Sequence, residues 1–340
     1  MKNPIIVDIK QVGLHFETRD PFLFCAHHND AYPEGNAGCG PEASLAGRNI
    51  GEDFTLKDGW RMYHGSVVPG FPEHPHRGFE TVTVVLKGFV DHSDSFGAAG
   101  RYGEGDVQWM TAGSGMQHAE MFPLLNMEKP NPGELFQIWL NLPARNKMVE
   151  PHYKMLWNHE VPRIIEADKN GCKTKITLIA GRYNAINAVD PAPDSWAADS
   201  AHQVDIHIIE MEPGAEWTLP AASASLNRML YYYEGESAVI ANESVSENHS
   251  LELKADAEVP VINGAKLSRL LLLQGLPIGE PVEQYGPFVM NTQEEIRQTI
   301  TEYQRTQFGG WPWSRRDPVH PRDKGRFARY ADGREEIPPK

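Results

Sequence analysis

The chain has 340 residues, enough for two domains of ordinary size, and its 46 acidic against 32 basic side chains leave a net charge of −14. That balance repels polyanions, so direct nucleic-acid binding is not expected, and no run of about 18 apolar residues argues for a membrane span. The cysteines Cys25, Cys39 and Cys172 are odd in number and lack C-x-x-C spacing, which fits a reducing compartment better than a disulfide framework or structural zinc site. The stretch MKNPIIVDIKQVGLHF lacks the apolar run of a secretion signal, so the sequence is read as soluble and cytoplasmic.

Thirty glycines and 26 prolines punctuate short β-like runs. The first, FCAHHNDAY, sets Cys25 and His27 on alternate positions beside His28, but no second pair completes a site there. Next comes HPHRGFETV, in which His74 and His76 are two apart. In a strand such residues share a face, so both imidazoles can converge on one point. Continuing the parity brings Glu80, Val82, Val84 and Leu86 to that side, an imidazole pair opening onto an apolar interior. Arg77 is read as steering an anionic substrate or pairing with Glu80, and His92, in VDHSDSFG, as an exposed loop histidine.

A second ligand segment follows in GDVQWMTAGSGMQHAEMFP, where His118 and Glu120 are again two apart behind a turn-rich TAGSG. Trp109 and Met110 there read as apolar lining. Two H-x-[HE] pairs on neighbouring strands give three imidazoles and a carboxylate, a donor set suited to a transition metal. The runs ELFQIWLNL, QVDIHIIEM, RMLYYYEGESAVI and LSRLLLLQG continue the β pattern. TVTVVLKGFV and RMLYYYEGESAVI each read as a strand, a hairpin glycine (Gly88, Gly235) and a second strand, 147 residues apart, which hints at a duplicated barrel. The second copy has no H-x-H or H-x-E pair.

The polar stretch NKMVEPHYKMLWNHEVPRIIEADKNGCK reads as a linker, with the boundary placed near residue 155. Beyond the second barrel, Thr292 and Glu295 form a capping box and Ile296, Ile300 and Tyr303 follow at helical spacing. The remainder, GGWPWSRRDPVHPRDKGRFARYADGREEIPPK, lacks periodicity and reads as a solvated extension or an oligomer arm. The expected organisation is a metal-binding barrel over 1–155, a barrel without a metal site over 156–290, a helix over 291–308 and an extended tail over 309–340.

HPHRGFETVTVVLKG, GDVQWMTAGSGMQHAEM and EPVEQYGPFVMNTQEEI together resemble the pirin family of the cupin superfamily, from about Asp20 to about Tyr303. The resemblance implies an all-β chain of two double-stranded β-helix barrels, the first holding one divalent transition metal. By motif position His74, His76, His118 and Glu120 correspond to the family's ligands, while Glu80 is left with an ion-pairing or supporting role. The metal expected is Fe(II), with Mn, Co, Ni, Cu and Zn also compatible with these donors. Pirin-like proteins are associated with quercetin 2,3-dioxygenase activity, so the expected reaction is oxygenolytic ring opening of a flavonol or similar enol by dioxygen, with Glu120 as ligand and, if detached, as base. The competing expectation is a non-enzymatic metal- or redox-sensing regulator that acts through a protein partner. A non-redox cupin enzyme using Zn or Mn is a third. The proline-rich tail could embrace a neighbouring subunit.

Overall fold

In the computed structural model, which describes residues 3–339, strands dominate and the described residues hold one α-helix, Gln293–Thr306. The chain divides into two compact units that are not consecutive halves: residues 27–137, 142–158 and 280–340 form one, and residues up to Ala26, 138–141 and 159–279 the other. A single cut near residue 155 misses this because the strand Ile6–Gln11 pairs antiparallel with His249–Leu253, placing the chain's beginning in the second barrel.

The first unit is a barrel of two sheets. In one, strands His152–Leu156, Val107–Thr111, Phe79–Lys87, Asn131–Asn141 and Phe22–Tyr32 lie side by side. In the other the order is Phe327–Arg329, Ala99–Gly103, Phe89–Asp94, Met116–Met121 and Gly70–His76. Between the sheets Val85, Val90, Tyr102, Leu135 and Met155 form a buried apolar cluster. The second unit has a seven-stranded sheet, with Asn227–Glu234, Ser268–Gly275 and Asp205–Met211 at its centre, and a four-stranded sheet. Their core includes Ile209, Trp217, Leu230, Tyr232 and Leu272. The runs recognised in the sequence all fall on observed strands.

The two hairpin glycines do different work from that expected. Phe79–Lys87 and Phe89–Asp94 belong to different sheets, as do Asn227–Glu234 and Ser237–Ile240. Gly88 and Gly235, at φ 74° and 148°, turn the chain from one sheet to the other, a corner that a side chain would resist. The same corner in both units is stronger support for a repeated architecture than a hairpin would be.

The helix starts as the sequence indicates. Thr292 accepts a hydrogen bond from the Glu295 amide, and Glu295 Oε2 accepts from the Asn291 amide. Ile296, Ile300 and Tyr303 pack on Phe288, Met290 and Phe308. The tail is extended, but it is not a solvated arm: Phe327–Arg329 pairs with Ala99–Gly103 and adds a strand to the sheet that carries the histidines. No helix among the described residues is long and apolar enough to cross a membrane.

Candidate metal centre

The strands Gly70–His76 and Met116–Met121 run antiparallel with His74 opposite His118 and His76 opposite Met116. Directly opposed residues of an antiparallel pair have their Cβ atoms about 5 Å apart, so the pairing alone brings the two imidazoles together. A register shift between Phe71 and His74 marks a bulge just before the first histidine. One ring nitrogen from each of His74, His76 and His118 lies within 4.8 Å of the other two. The Nε2 atoms of His74 and His118 are 3.0 Å apart. His74 donates from Nδ1 to the Pro72 carbonyl at 2.9 Å, which leaves its Nε2 as a lone pair facing the other histidine.

Burial depresses all three imidazoles, His74 to about 4 and His76 and His118 well below the ordinary histidine value, so each offers a neutral nitrogen. With His118 carrying its hydrogen on Nε2 the pair is an N–H···N hydrogen bond; with that hydrogen on Nδ1, both Nε2 lone pairs face a common point where an ion can sit. Nitrogens at the usual bond length of about 2.1 Å from a common ion, at right angles, would stand about 3.0 Å apart. The donor set therefore fits a transition metal.

Glu120 borders the trio, its Oε2 3.8 Å from His118 Nε2. Thr83 Oγ1 donates to Glu120 Oε1 at 3.0 Å and Gln137 Nε2 to Oε2 at 2.9 Å, with the Tyr102 hydroxyl 3.4 Å from Oε1. Burial raises this carboxyl, while the charge of His92 and the hydrogen bonds from Thr83, Gln137 and Tyr102 oppose the rise. Three donors thus hold an acceptor whose proton affinity lies above that of a free glutamate.

Several neighbours differ from the sequence reading. Gly78, at φ 84°, bends the chain between the two sheets and breaks the strand parity assumed beyond His76. A Cβ at Gly78 would lie 2.0 Å from the Val289 carbonyl oxygen. After the bend Thr83 and Val85, not Val82 and Val84, face the interior with Glu120 and Tyr102. Glu80 accepts from Thr111 Oγ1 at 2.7 Å, across the pair that opposes these residues. Arg77 pairs with Glu302 at 2.8 Å, donates to the Ser114 carbonyl at 2.7 Å and lies over the Phe308 ring. It is thus a buried tie to the helix rather than a steering group, because the Gly78 bend aims it away from Glu80.

His92 is fully buried, not exposed on a loop. Its strand continues through Asp94, placing His92 opposite Glu120 and Asp94 opposite His118. Its ring stacks on Tyr153 and its Nε2 lies 3.2 Å from Asp94 Oδ2. The H-x-D pattern of residues 92–94 carried that signal, had the strand been extended to Asp94. Trp109 and Met110 are buried as expected, and Met110 packs with Ala112 and Met116. His27 pairs with Glu134 at 3.1 Å, and His28 packs among Tyr63, Phe71 and Phe122. A cavity of about 200 Å³ is lined there by His28, Lys87, Phe89, Phe122, Asn131 and Leu135; none of the three clustered histidines lines it.

Two β-helix barrels in one chain, one with histidines converging from adjacent strands, define a bicupin. The sequence model described as Pirin matches residues 9–140, and the one described as the pirin C-terminal cupin domain matches residues 206–309. The chain belongs to the pirin family. A pirin-like protein of Solanum lycopersicum is 38% identical over 238 residues, covering 69% of this chain and 75% of that protein. A Pseudomonas aeruginosa protein provisionally named a quercetin 2,3-dioxygenase is 38% identical over 243 residues, covering 69% and 79%. The crystal structure of a quercetin 2,3-dioxygenase from Acinetobacter baumannii superposes with a TM-score of 0.69 at 26% identity, covering 90% of this chain and 98% of that one.

Proposed function

We propose that the protein is a metal-dependent dioxygenase of the quercetin 2,3-dioxygenase type, with His74, His76, His118 and Glu120 holding one divalent transition metal, Fe(II) in the first instance. The observation that carries this reading is the convergence of three neutral imidazoles, half-buried His74 and buried His76 and His118, beside the Glu120 carboxylate, with His74 and His118 Nε2 3.0 Å apart. The names of the Pseudomonas and Acinetobacter relatives support the substrate class, an enol-bearing flavonol.

A redox-capable ion at this position supplies Lewis acidity and electron transfer between an enol substrate and dioxygen. The chain's own residues do the rest. The three imidazoles stay unprotonated and keep their lone pairs directed inward. Phe71 packs beside His74 and Phe79 beside His76, limiting the imidazoles' freedom to turn. Glu120, oriented by Thr83 and Gln137, is a ligand to the ion and, when detached from it, takes the substrate's hydroxyl proton.

The test is oxygen uptake and carbon monoxide release with quercetin, using tag-free protein reconstituted with Fe(II). Turnover that disappears in His118→Ala and falls at least about a hundredfold in Glu120→Gln supports the reading, in line with the usual value of a positioned base. No metal-dependent uptake with quercetin or other enols overturns it. Metal binding without turnover would favour the regulatory reading.

A further inference from the structure

The tail beyond residue 309 lies outside both family models, yet it is bonded to the strands that carry the clustered histidines. Gly70–His76 is the edge strand of its sheet. Edge strands have unpaired backbone groups, and a bulge adds more. Glu73 sits in that bulge, immediately before His74. Its amide donates to the Arg316 carbonyl at 2.6 Å. Arg316 returns two bonds, Nε to the Glu73 carboxylate at 2.7 Å and Nη2 to the Glu73 carbonyl at 3.2 Å.

On the far side of the central ligand strand, Trp313 Nε1 donates to the Asp94 carbonyl at 2.8 Å, where Asp94 pairs with His118. His320 donates from its amide to Asp91 at 2.8 Å and from Nε2 to the His92 carbonyl at 2.9 Å. Residues 313–320 therefore join the two strands that flank Met116–Met121, one on each side of His118. The segment is anchored beyond by Arg101, which donates to the carbonyls of His320, Pro321 and Arg322.

We propose that residues 313–320 are a strap that fixes the geometry of the metal centre, and that Arg316 and Trp313 are positioning residues for it. Arg316 holds the Glu73 bulge, and with it the Pro72 carbonyl that orients His74; Trp313 holds the strand opposite His118. The inference rests on the reading that the histidine trio binds the ion.

The test uses full-length Trp313→Ala/Arg316→Ala protein, with Arg316→Lys as the conservative variant and Co(II) as both ligand and spectroscopic probe. The double variant is expected to bind Co(II) about tenfold more weakly, the loss of a few modest hydrogen bonds, and to show an altered d–d absorption band. Arg316→Lys, which keeps the charge but not the fork, should fall between it and the parent. Metal-free thermal unfolding should shift by no more than about 2 °C, the effect of at most about 1 kcal/mol at this size. Unchanged affinity and spectrum in a double variant whose parent binds one Co(II) overturn the strap and leave the metal reading standing. A loss of affinity matched by an equal loss of metal-free stability also overturns it, since the residues are then merely structural. A parent protein that binds no Co(II) refutes the metal reading, and the strap with it.

Discussion

Replacing Arg101 by alanine tests whether the tail belongs to the first barrel's fold. Arg101 is fully buried, and all five of its N–H groups are used. Two bond Asp91 at 2.7 and 2.8 Å, and three bond the carbonyls of His320, Pro321 and Arg322 at 2.9, 2.9 and 3.3 Å. Asp91 is likewise fully buried and, without Arg101, would keep the His320 amide as a donor. Breaking a buried pair by removing one partner costs about 3–5 kcal/mol, because the other charge stays in a poorly solvating place. At about 2–4 °C per kcal/mol the melting temperature should fall by about 10 °C. Urea unfolding followed by tryptophan fluorescence gives the free energy; if two transitions resolve, the one assigned to the first barrel should move. The double variant Asp91→Leu/Arg101→Met removes both charges. It should recover much of the loss, short of about 1–3 kcal/mol for the carbonyls left without donors. Arg101→Ala within about 1 kcal/mol of the parent, a size typical of an exposed pair, would refute the reasoning. So would a double variant no better than the single one.

Other predictions follow from the same bookkeeping of charge and space. With His74 held at about 4 by burial against an ordinary 6.5, the unfolded chain takes up a proton between those values that the folded chain refuses. Metal-free stability should therefore fall as pH drops from 6.5 to 4, by about 3 kcal/mol for this group, and His74→Phe should flatten that slope in denaturation curves. Asp205, in the second barrel, has the opposite sign: burial raises its carboxyl to about 7, against the hydrogen bonds from the Arg182 amide and Gln274. Its contribution is complete below about 4 and fades as pH climbs to 7, so Asp205→Asn should remove a stability loss on the alkaline side of that window. Gly78→Ala meets both a left-handed backbone and a carbonyl oxygen at 2.0 Å. A loss of at least about 2 kcal/mol, with weaker Co(II) binding measured alongside, is expected from strain at that bend.

Local signals determined much of this protein. The spacing of His74 and His76, and of His118 and Glu120, follows from strand alternation, and that period is a property of the backbone. The Thr292–Glu295 cap and the start of the helix depend on contacts within one turn, which is why they could be read from adjacent letters. Strand parity breaks at Gly78, because one residue at positive φ reverses which face the next strand presents.

What neighbours across the sheets do was legible only after folding. That His92 lies beside Glu120 depends on the register between two strands, and that Arg77 ties to Glu302 depends on where the helix comes to rest. The tail shows the limit most plainly. Its composition is that of a solvated extension, since glycine, proline and charge give no periodic apolar face. Its order comes from partners more than 200 positions away in sequence, among them Glu73, Asp94 and Arg101. Sequence periodicity records the burial of side chains along one element; it does not record a backbone carbonyl waiting for a guanidinium from the other end of the chain.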